Sequence, residues 1–517
     1  MTTTPEGQAP GQQATGVPAV GQAAFRGAVW MFAQSVLGKA VMFLGNIVLA
    51  WLLVPEDFGL FGIAAAVIVF TNLLSRMGIL QILTTRQDEY DRLANPAFWC
   101  SATVGLCVMG AVALLAPVLA SVYEEERLAN VVLLLAFSGY LELIRITAEA
   151  QLHIALRFRA LATLDFFAIT TRMALLILFA LGGFGVYAFA LAPIVVNVVR
   201  GIVVFRLCPV PIRLRPEVRM WRTMLGDMSL LLVGAVMAAV ISNADYLIIG
   251  RLLSPEAVGI YFFAFTQSMQ TFRILSVNLG SVLFPALSKV RDDAARQVRG
   301  VLTSARLLLL VGTPMCVAQV VLADPLVRVV FEEEWLPAIP VIQILSVGLA
   351  MRMTSVVSRN LVIASRRMRT HAIAMTGYAL AFVIAVTAGT LTGGVLGASV
   401  GVAVFGALLG PIDMLVACVP LGAGPGRVLN TYVPPLVVGV GGFLPAWFLS
   451  GVLPESWSSW MTALPRVDET SATGLLRAAC TLGLGAPMYL LLARLLCPRD
   501  LRSIVDRVRN AARREAR

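Results

Sequence analysis

Residues Trp51 to Ala65 read WLLVPEDFGLFGIAA, and Arg251 to Phe265 read RLLSPEAVGIYFFAF. Leu52, Leu53, Pro55, Glu56, Gly59 and Ala64 all recur at an offset of 200. Two further echoes follow. PVLASVYEEERL from Pro117 is answered by PLVRVVFEEEWL from Pro325, and QLHIALR from Gln151 by NLVIASR from Asn360, the offset drifting to 209 through short insertions. A repeat of this length predicts two similar lobes in one chain.

The composition around the repeats sets the medium. With 58% apolar and 13% charged residues and a mean hydropathy of +0.84 over 517 residues, the chain has too few polar groups to cover a water-facing surface. Apolar runs long enough to cross a bilayer as helices lie near 28–53, 59–83, 97–122, 128–148, 165–183, 184–205, 224–249, 257–284, 300–323, 338–364, 372–389, 393–419, 431–453 and 472–497. The expected fold is an all-α polytopic membrane protein of about 14 transmembrane helices, two parallel-repeat six-helix lobes plus two extra C-terminal helices. Because six is even, the second copy re-enters from the same side, which relates the lobes by a pseudo-two-fold axis along the membrane normal. The expected divisions are a disordered cytoplasmic lead over 1–24, an N-lobe over 25–205, a basic linker over 206–223, a C-lobe over 224–421, the last two helices over 422–497 and a basic tail over 498–517. The lead is rich in Pro, Gly, Gln and Thr and lacks the charged and apolar regions of a signal peptide.

Loop charges alternate along these spans. One set carries Arg86 and Arg92, Arg157 and Arg159, Arg213 and Arg215, Lys289 and Arg291, Arg366 and Arg367, and the arginines of the tail. The other carries Glu56 and Asp57, Glu124 to Glu126, Glu256, Glu332 to Glu334, and Asp468 with Glu469. The positive-inside rule places the basic loops and both termini in the cytoplasm of a cell with this protein in its inner membrane. The net charge of +11 thus reflects topology, and no nucleic-acid partner is needed to explain it. The tail can lie on the anionic inner leaflet.

Function is sought among ionisable residues inside the spans, because an arginine at a helix centre costs about 3 kcal/mol on insertion scales. Lys39, one of only two lysines, lies on a stripe with Ser35, Gly38, Gly45 and Asn46. The second span carries Thr71, Asn72, Ser75 and Arg76, the eighth Gln267, Gln270, Thr271 and Arg273, and the tenth has Arg352 near its centre. A cationic cavity is expected, with Lys39, Arg76, Arg273, Arg352, Arg145, Asn72 and Gln270 as substrate-binding residues. Arg145, Arg172, Arg200, Arg306 and Arg359 lie within a few turns of the cytoplasmic end and can snorkel to it, and Arg145 can pair with Glu142 one turn away. Asp245, whose repeat partner is Gly45, is with Asn243 a candidate for ion coupling; it can bind a cation, pair with a cavity arginine, or pair structurally with Arg251.

Other features read as structural. The seven cysteines lack metal spacing and suit packing. The Glu triplets suggest an outer metal site, but they open helices where the dipole favours carboxylates. His153 and His371 fall in predicted cytoplasmic loops. No cofactor, metal or catalytic residue is expected.

NADYLIIGRLLSPEAVGIYFFAF over 243–265 with LGSVLFPALSKV over 279–290, and LLVPEDFGLFGIAA over 52–65 followed by RMGILQILTTR over 76–86, resemble the polysaccharide-transporter branch of the multidrug/oligosaccharidyl-lipid/polysaccharide (MOP) exporter superfamily, the Wzx-type flippases. The resemblance covers roughly residues 25–500. It implies a central cavity between the first, second, seventh and eighth spans, where Lys39, Arg76, Asp245 and Arg273 fall. Some relatives couple transport to a cation held by an acid of the seventh span and polar groups of the eleventh; here 372–389 offers threonines and a tyrosine without a carboxylate.

The residues and the resemblance together lead to a substrate with an anionic head, an apolar tail and a polar cargo, which a polyprenyl-diphosphate oligosaccharide supplies. The bacterial inner membrane, a polysaccharide polymerase and chain-length machinery are the implied surroundings, with the protein a monomer serving lipopolysaccharide, exopolysaccharide or capsule synthesis. A cation-coupled drug antiporter of the same superfamily would prefer an acidic or aromatic cavity. A membrane-embedded polymerase, ligase or acyltransferase would need a large outer loop or a catalytic His or Asp motif, whereas the longest predicted outer loop, 454–471, lacks histidine.

Overall fold

A chain crossing lipid must satisfy its backbone hydrogen bonds internally, and this one does so with helices. The computed structural model describes residues 34, 37–76, 79–85, 87–155, 157–210, 212–213, 216–217, 221, 229–277, 283, 287–290, 292–451 and 469–498, and among them no strand occurs. In the first half, α1 (Leu37–Leu52), α2 (Pro55–Arg76) and α3 (Ile79–Thr85) are followed by α4 (Tyr90–Tyr123), α5 (Glu126–Ile154), α6 (Phe158–Leu181) and α7 (Tyr187–Leu207). In the second, α8 (Ser229–Leu252) and α9 (Pro255–Phe272) precede α10 (Ala294–Val330), α11 (Ala338–Arg352), α12 (Ser355–Ala364) and α13 (Met368–Cys418). The short α14 (Pro425–Leu429) leads into α15 (Val433–Gly451) and α16 (Glu469–Leu496). Ten helical stretches among the described residues are long and apolar enough to cross a membrane. One of them contains all of α13, which folds back on itself at Gly393 and Gly394, the latter at φ +58° and ψ −139°. Gly389 and Gly397 face each other's backbone below that turn, where no side chain fits.

Several expectations change on folding. The span expected over 338–364 is present as one helical stretch, but its hydrogen bonding is interrupted at Met353 and Thr354, beside Arg352. The local sequence explains the break, since Thr354 Oγ1 donates to the Met351 carbonyl at 2.9 Å and Ser355 Oγ to that of Arg352 at 2.8 Å, replacing helical donors. His153 and His371 are not loop residues but lie in the last turn of α5 and the first turn of α13. Asp57, read as a loop charge, is buried and accepts the Val186 amide at 3.0 Å, fastening the start of α7 to α2. The N-terminal lead, most of the tail and parts of the linker lie outside the described residues.

The repeat has a direct counterpart in the packing. Gly59 on α2 lies against the Pro255 carbonyl, and Gly259 on α9 lies against the Pro55 carbonyl, so that a Cβ at either would overlap the partner's backbone. A reciprocal contact of this kind is what a two-fold axis generates. Around it, hydrogen bonds to main-chain carbonyls among the described residues join the halves: Trp51 Nε1 to Val330 at 2.6 Å, Trp335 Nε1 to Ala50 at 3.0 Å and Tyr123 OH to Leu247 at 3.1 Å. Phe58 and Phe263 pack on Trp335 with ring centroids 5.1 and 4.5 Å away, and Phe61 meets Phe262 at 5.6 Å. These contacts lie at the end of the bundle that carries Glu56, Glu124 to Glu126 and Glu332 to Glu334, termed here the acidic end.

The outward faces are apolar: Leu114, Ile373 and Leu391 are 80, 74 and 69% exposed, whereas Arg145, Asp245, Arg352 and Asp413 are each below 7%. Polar groups are therefore turned inward, the distribution a lipid solvent selects. The last two long helices pack on each other through Gly442 against Tyr489 and Gly485 against Phe443. They dock on α10 through the Tyr489 hydroxyl, which donates to the Leu310 carbonyl at 2.6 Å.

Candidate functional site

Helices of the first half surround a cavity of about 760 Å³, with α2 adding Ile68 to a lining supplied mainly by four others. Helix α1 contributes Lys39 and Met42, α5 contributes Ser138, Glu142, Arg145 and His153, α6 contributes Asp165, Ile169 and Arg172, and α7 contributes Val196, Asn197 and Arg200. Most of these residues recur at helical spacing, as in Ser138, Glu142 and Arg145, in Asp165, Ile169 and Arg172, and in Val196 and Arg200, so each helix turns one stripe toward the same space. Helices α1 and α6 run side by side, with Gln34 donating to Thr163 Oγ1 at 3.4 Å, Gly38 against Ile169 and Gly45 against Met173. Lys39 and Arg172 consequently stand about one turn apart in height.

Charge pairing in the cavity is specific. Glu149 sits between two arginines, accepting from Arg145 through Oε2 and from Arg200 through Oε1, the latter at 2.5 Å. Arg200 also reaches Asp165 at 2.7 Å, and Arg145 reaches Glu142 at 3.6 Å. Asn197 Nδ2 donates to the Ser138 carbonyl and hydroxyl, both at 3.0 Å, tying α7 to α5. The snorkelling expected of Arg145 does not occur: it is 4% exposed, because carboxylates one turn to either side on its own helix make an inward position stable. Arg200 is held likewise, across helices, while Arg306 is half-buried and donates to the Asn430 carbonyl at 3.3 Å.

The structure brings together two of the expected substrate residues, Lys39 and Arg145, and adds Arg172 and Arg200, which the sequence reading placed at the interface. The acids Glu149 and Asp165 and the amide Asn197 were missed, although for Glu149 the i, i+3 and i, i+4 recurrence of Glu142, Arg145, Glu149 and His153 on one face of α5 carried the signal. The cavity lies within one lobe, lined mainly by α1, α5, α6 and α7 with Ile68 of α2. Asn72 and Arg76 lie on α2, but their side chains fall outside the described residues. Gln270 is half-buried near the end of α9, and Arg273 is exposed at the start of the π-turn Arg273–Val277 that continues it. Neither borders this cavity.

The remaining candidates lie inside the second half. Asp245 is fully buried; its Oδ2 accepts from the Tyr261 hydroxyl at 2.7 Å and its Oδ1 from the Tyr246 amide at 3.1 Å. Asn243 donates back to the Ala239 carbonyl of its own helix at 3.0 Å. Arg352 is 6% exposed, lies within electrostatic reach of Asp245, and has a buried Nη1 without a hydrogen-bond partner among the described residues. A carboxylate missed in the sequence, Asp413 in the second limb of α13, accepts from Ser358 at 2.7 Å and from Tyr378 at 3.3 Å. The tyrosine noted in the eleventh span thus serves an acid one helix further on.

A second cavity, of about 1170 Å³, lies between α10, α11, α15 and α16. Leu444, Trp447 and Phe448 form much of its wall, and Gln343, Asp324, Glu469 and Arg477 supply its polar points.

The family described as polysaccharide biosynthesis proteins matches residues 48–340, more than half of the chain. The chain belongs to that family. Among curated relatives in polysaccharide biosynthesis, the teichuronic acid biosynthesis protein TuaB of Bacillus subtilis is 24% identical over 284 residues, covering 54% of this chain and 58% of TuaB. The succinoglycan biosynthesis transport protein ExoT of Rhizobium meliloti is 25% identical over 307 residues, covering 58% of this chain and 61% of ExoT. The chain therefore spans about three fifths of the length of these two relatives. Among solved structures, the lipid II flippase MurJ in an inward closed conformation superposes with a TM-score of 0.68 at 13% identity, covering 90% of this chain and 99% of that one. An inward-facing multidrug resistance MATE transporter of the MOP superfamily gives a TM-score of 0.61 at 13% identity, covering 75% and 95%. This polysaccharide biosynthesis family member therefore shares its fold with these two solved proteins.

Proposed function

We propose that the protein moves a polyprenyl-diphosphate-linked oligosaccharide from the inner to the outer leaflet of the bacterial inner membrane by alternating access, for surface polysaccharide synthesis. The observation that carries this reading is a cation-rich cavity buried in a MOP-type fold whose sequence family is that of polysaccharide biosynthesis. Arginine and lysine hold phosphate by charge-assisted hydrogen bonds. The apolar walls of the second cavity suit a prenyl chain, and the polar stripes of α5 and α7 suit hydrated sugar. In this reading the acidic end is the outer end and both termini are cytoplasmic. The contacts of Trp51, Tyr123 and Trp335 then close the outer side, and rocking of the lobes breaks them to release the cargo outward.

No bound cation is required energetically. Moving about two negative charges outward is favoured by about 5 kcal/mol under an inside-negative potential of ~100 mV. Asp245 and Asp413 each use both carboxylate oxygens on protein donors, which agrees with a structural use of both acids. The protein acts as a monomer and delivers its product to a polysaccharide polymerase with its chain-length machinery. The test is translocation of a defined lipid-linked oligosaccharide by proteoliposomes containing the purified protein, with and without an imposed potential. Outward movement that grows with an inside-negative potential is expected, and absence of any protein-dependent movement would overturn the reading.

A further inference from the structure

The second cavity carries its charge at one end only, and the charges come in a fixed order of depth. Its lining runs over about 18 Å of helix on α10 and on α16 and about 22 Å on α15. That is one leaflet of a bilayer about 40 Å thick in all. The mouth, at the acidic end, holds Asp324, Glu469 and Arg477, and the wall below them is built largely of Val317, Val321, Leu444, Trp447 and Phe448. Asp324 Oδ1 accepts from Arg328 of its own helix at 2.8 Å, which leaves Oδ2 without a donor among the described residues. A Cβ on Gly474 would lie 3.4 Å from that oxygen, so the carboxylate stands against α16 between Glu469 and Arg477. Glu469 and Arg477 have no ion-pair partner within 4 Å among the described residues. Glu469 opens α16 and Arg477 lies about two turns deeper, with its side chain leaning back toward the helix N-terminus and so toward the carboxylates. From the mouth inward the order is carboxylate, guanidinium, apolar wall. The complement of that order is a molecule with a cation outermost, an anion beneath it and hydrocarbon below.

We propose that the second cavity binds a zwitterionic phospholipid with a primary ammonium head, phosphatidylethanolamine in class, from the leaflet at the acidic end. Arg477 holds the phosphate, and Glu469 with Asp324 Oδ2 holds the ammonium. The ammonium brings N–H donors that both carboxylates accept, whereas a trimethylammonium brings none and a glycerol head brings no cation. A prenyl diphosphate has a wholly anionic head, which would meet one guanidinium against two carboxylates at this mouth. The prenyl chain of a substrate in transit can pass the apolar walls without its head entering there. The site therefore goes beyond the flippase reading and does not rest on it.

The test is lipid retention, read by native mass spectrometry on the purified full-length protein taken from nanodiscs of equimolar dioleoyl phosphatidylethanolamine, phosphatidylcholine and phosphatidylglycerol. The wild-type protein should retain phosphatidylethanolamine over each of the other two by about fivefold or more, the scale of one or two charge-assisted contacts at a partly exposed site. Geranylgeranyl diphosphate at equal concentration should not displace it. Glu469→Gln and Arg477→Gln should each remove most of the preference, Arg477→Lys should keep most of it, and Arg427→Gln at the other end of the bundle should change nothing. Glu469 and Arg477 are exposed, so these variants leave packing intact, which thermal unfolding checks. Equal retention of the three phospholipids, or a preference that survives both glutamine variants, would overturn the site. So would a preference for phosphatidylglycerol or geranylgeranyl diphosphate that falls with Arg477→Gln and not with Glu469→Gln, since that marks a purely anionic head. Absence of translocation in the proteoliposome assay would sink the flippase reading and leave this site standing.

Discussion

Trp335 offers the sharpest test of how the two halves close. Its side chain is 1% exposed, wedged between Phe58 and Phe263, and its indole N–H donates across the interface to the Ala50 carbonyl at 3.0 Å. Trp335→Phe keeps an aromatic plug but removes the donor and part of the ring. The lost hydrogen bond is worth about 1 kcal/mol net, and the small void adds about another 1 kcal/mol. A change of about 1–2 kcal/mol shifts the ratio of closed to open outer ends by roughly 5- to 30-fold. Spin labels at Val54 and Leu253, both exposed beside the seal, would report that ratio through their distance distribution. Gly59→Val should act in the same direction and more strongly, because its side chain would overlap the Pro255 carbonyl in the closed form. Distance distributions identical to wild type in both variants would refute the assignment of these contacts to a closure between lobes.

Glu149→Gln should lower thermal stability by about 3 kcal/mol, because it removes the carboxylate shared by two buried arginines while Glu142 and Asp165 remain; denaturation of the purified protein equal to wild type would show that the network is not a buried ion-pair cluster. Cysteines replacing Glu56 and Glu256 should react with an impermeant thiol reagent in sealed cells and one replacing Arg213 should not; labelling at Arg213 would invert the topology. Asp245→Asn should retain substantial transport and its response to voltage, since Tyr261 and the Tyr246 amide already satisfy the carboxylate; a folded, substrate-binding but inactive variant would restore Asp245 as an ion-coupling residue.

The helical architecture was legible because its cause is local: a run of apolar residues becomes a span wherever it occurs. The duplication was legible too, and Pro55/Pro255 with Gly59/Gly259 turned out to mark the crossing point as well as the repeat. The break beside Arg352 was harder to see, since hydropathy does not register a hydroxyl donating to its own helix. The charge network was hidden for a different reason. Depth along a single helix suggested that Arg200 should reach for water, yet its partners Glu149 and Asp165 lie on two other helices. Arg145 shows the converse, since both of its acids are on its own helix at i−3 and i+4 and only the choice of face was missing. Asp413 was not legible from the eleventh span alone, since its partner Tyr378 lies there while the acid sits on the next limb.

The mutual embrace of Gly59 and Gly259 bears on how such a chain could have arisen. The same two turns of helix meet themselves, each glycine received by the other copy's proline carbonyl. A half-length ancestor carrying this segment would already have possessed a self-complementary face and could have paired with a sister subunit before any fusion joined them. Fusion then freed the two copies to diverge away from the axis, one acquiring the cluster around Glu149 and the other the pair Asp245 and Tyr261. At the axis itself divergence stays restricted, because a side chain gained on one copy collides with the backbone of the other.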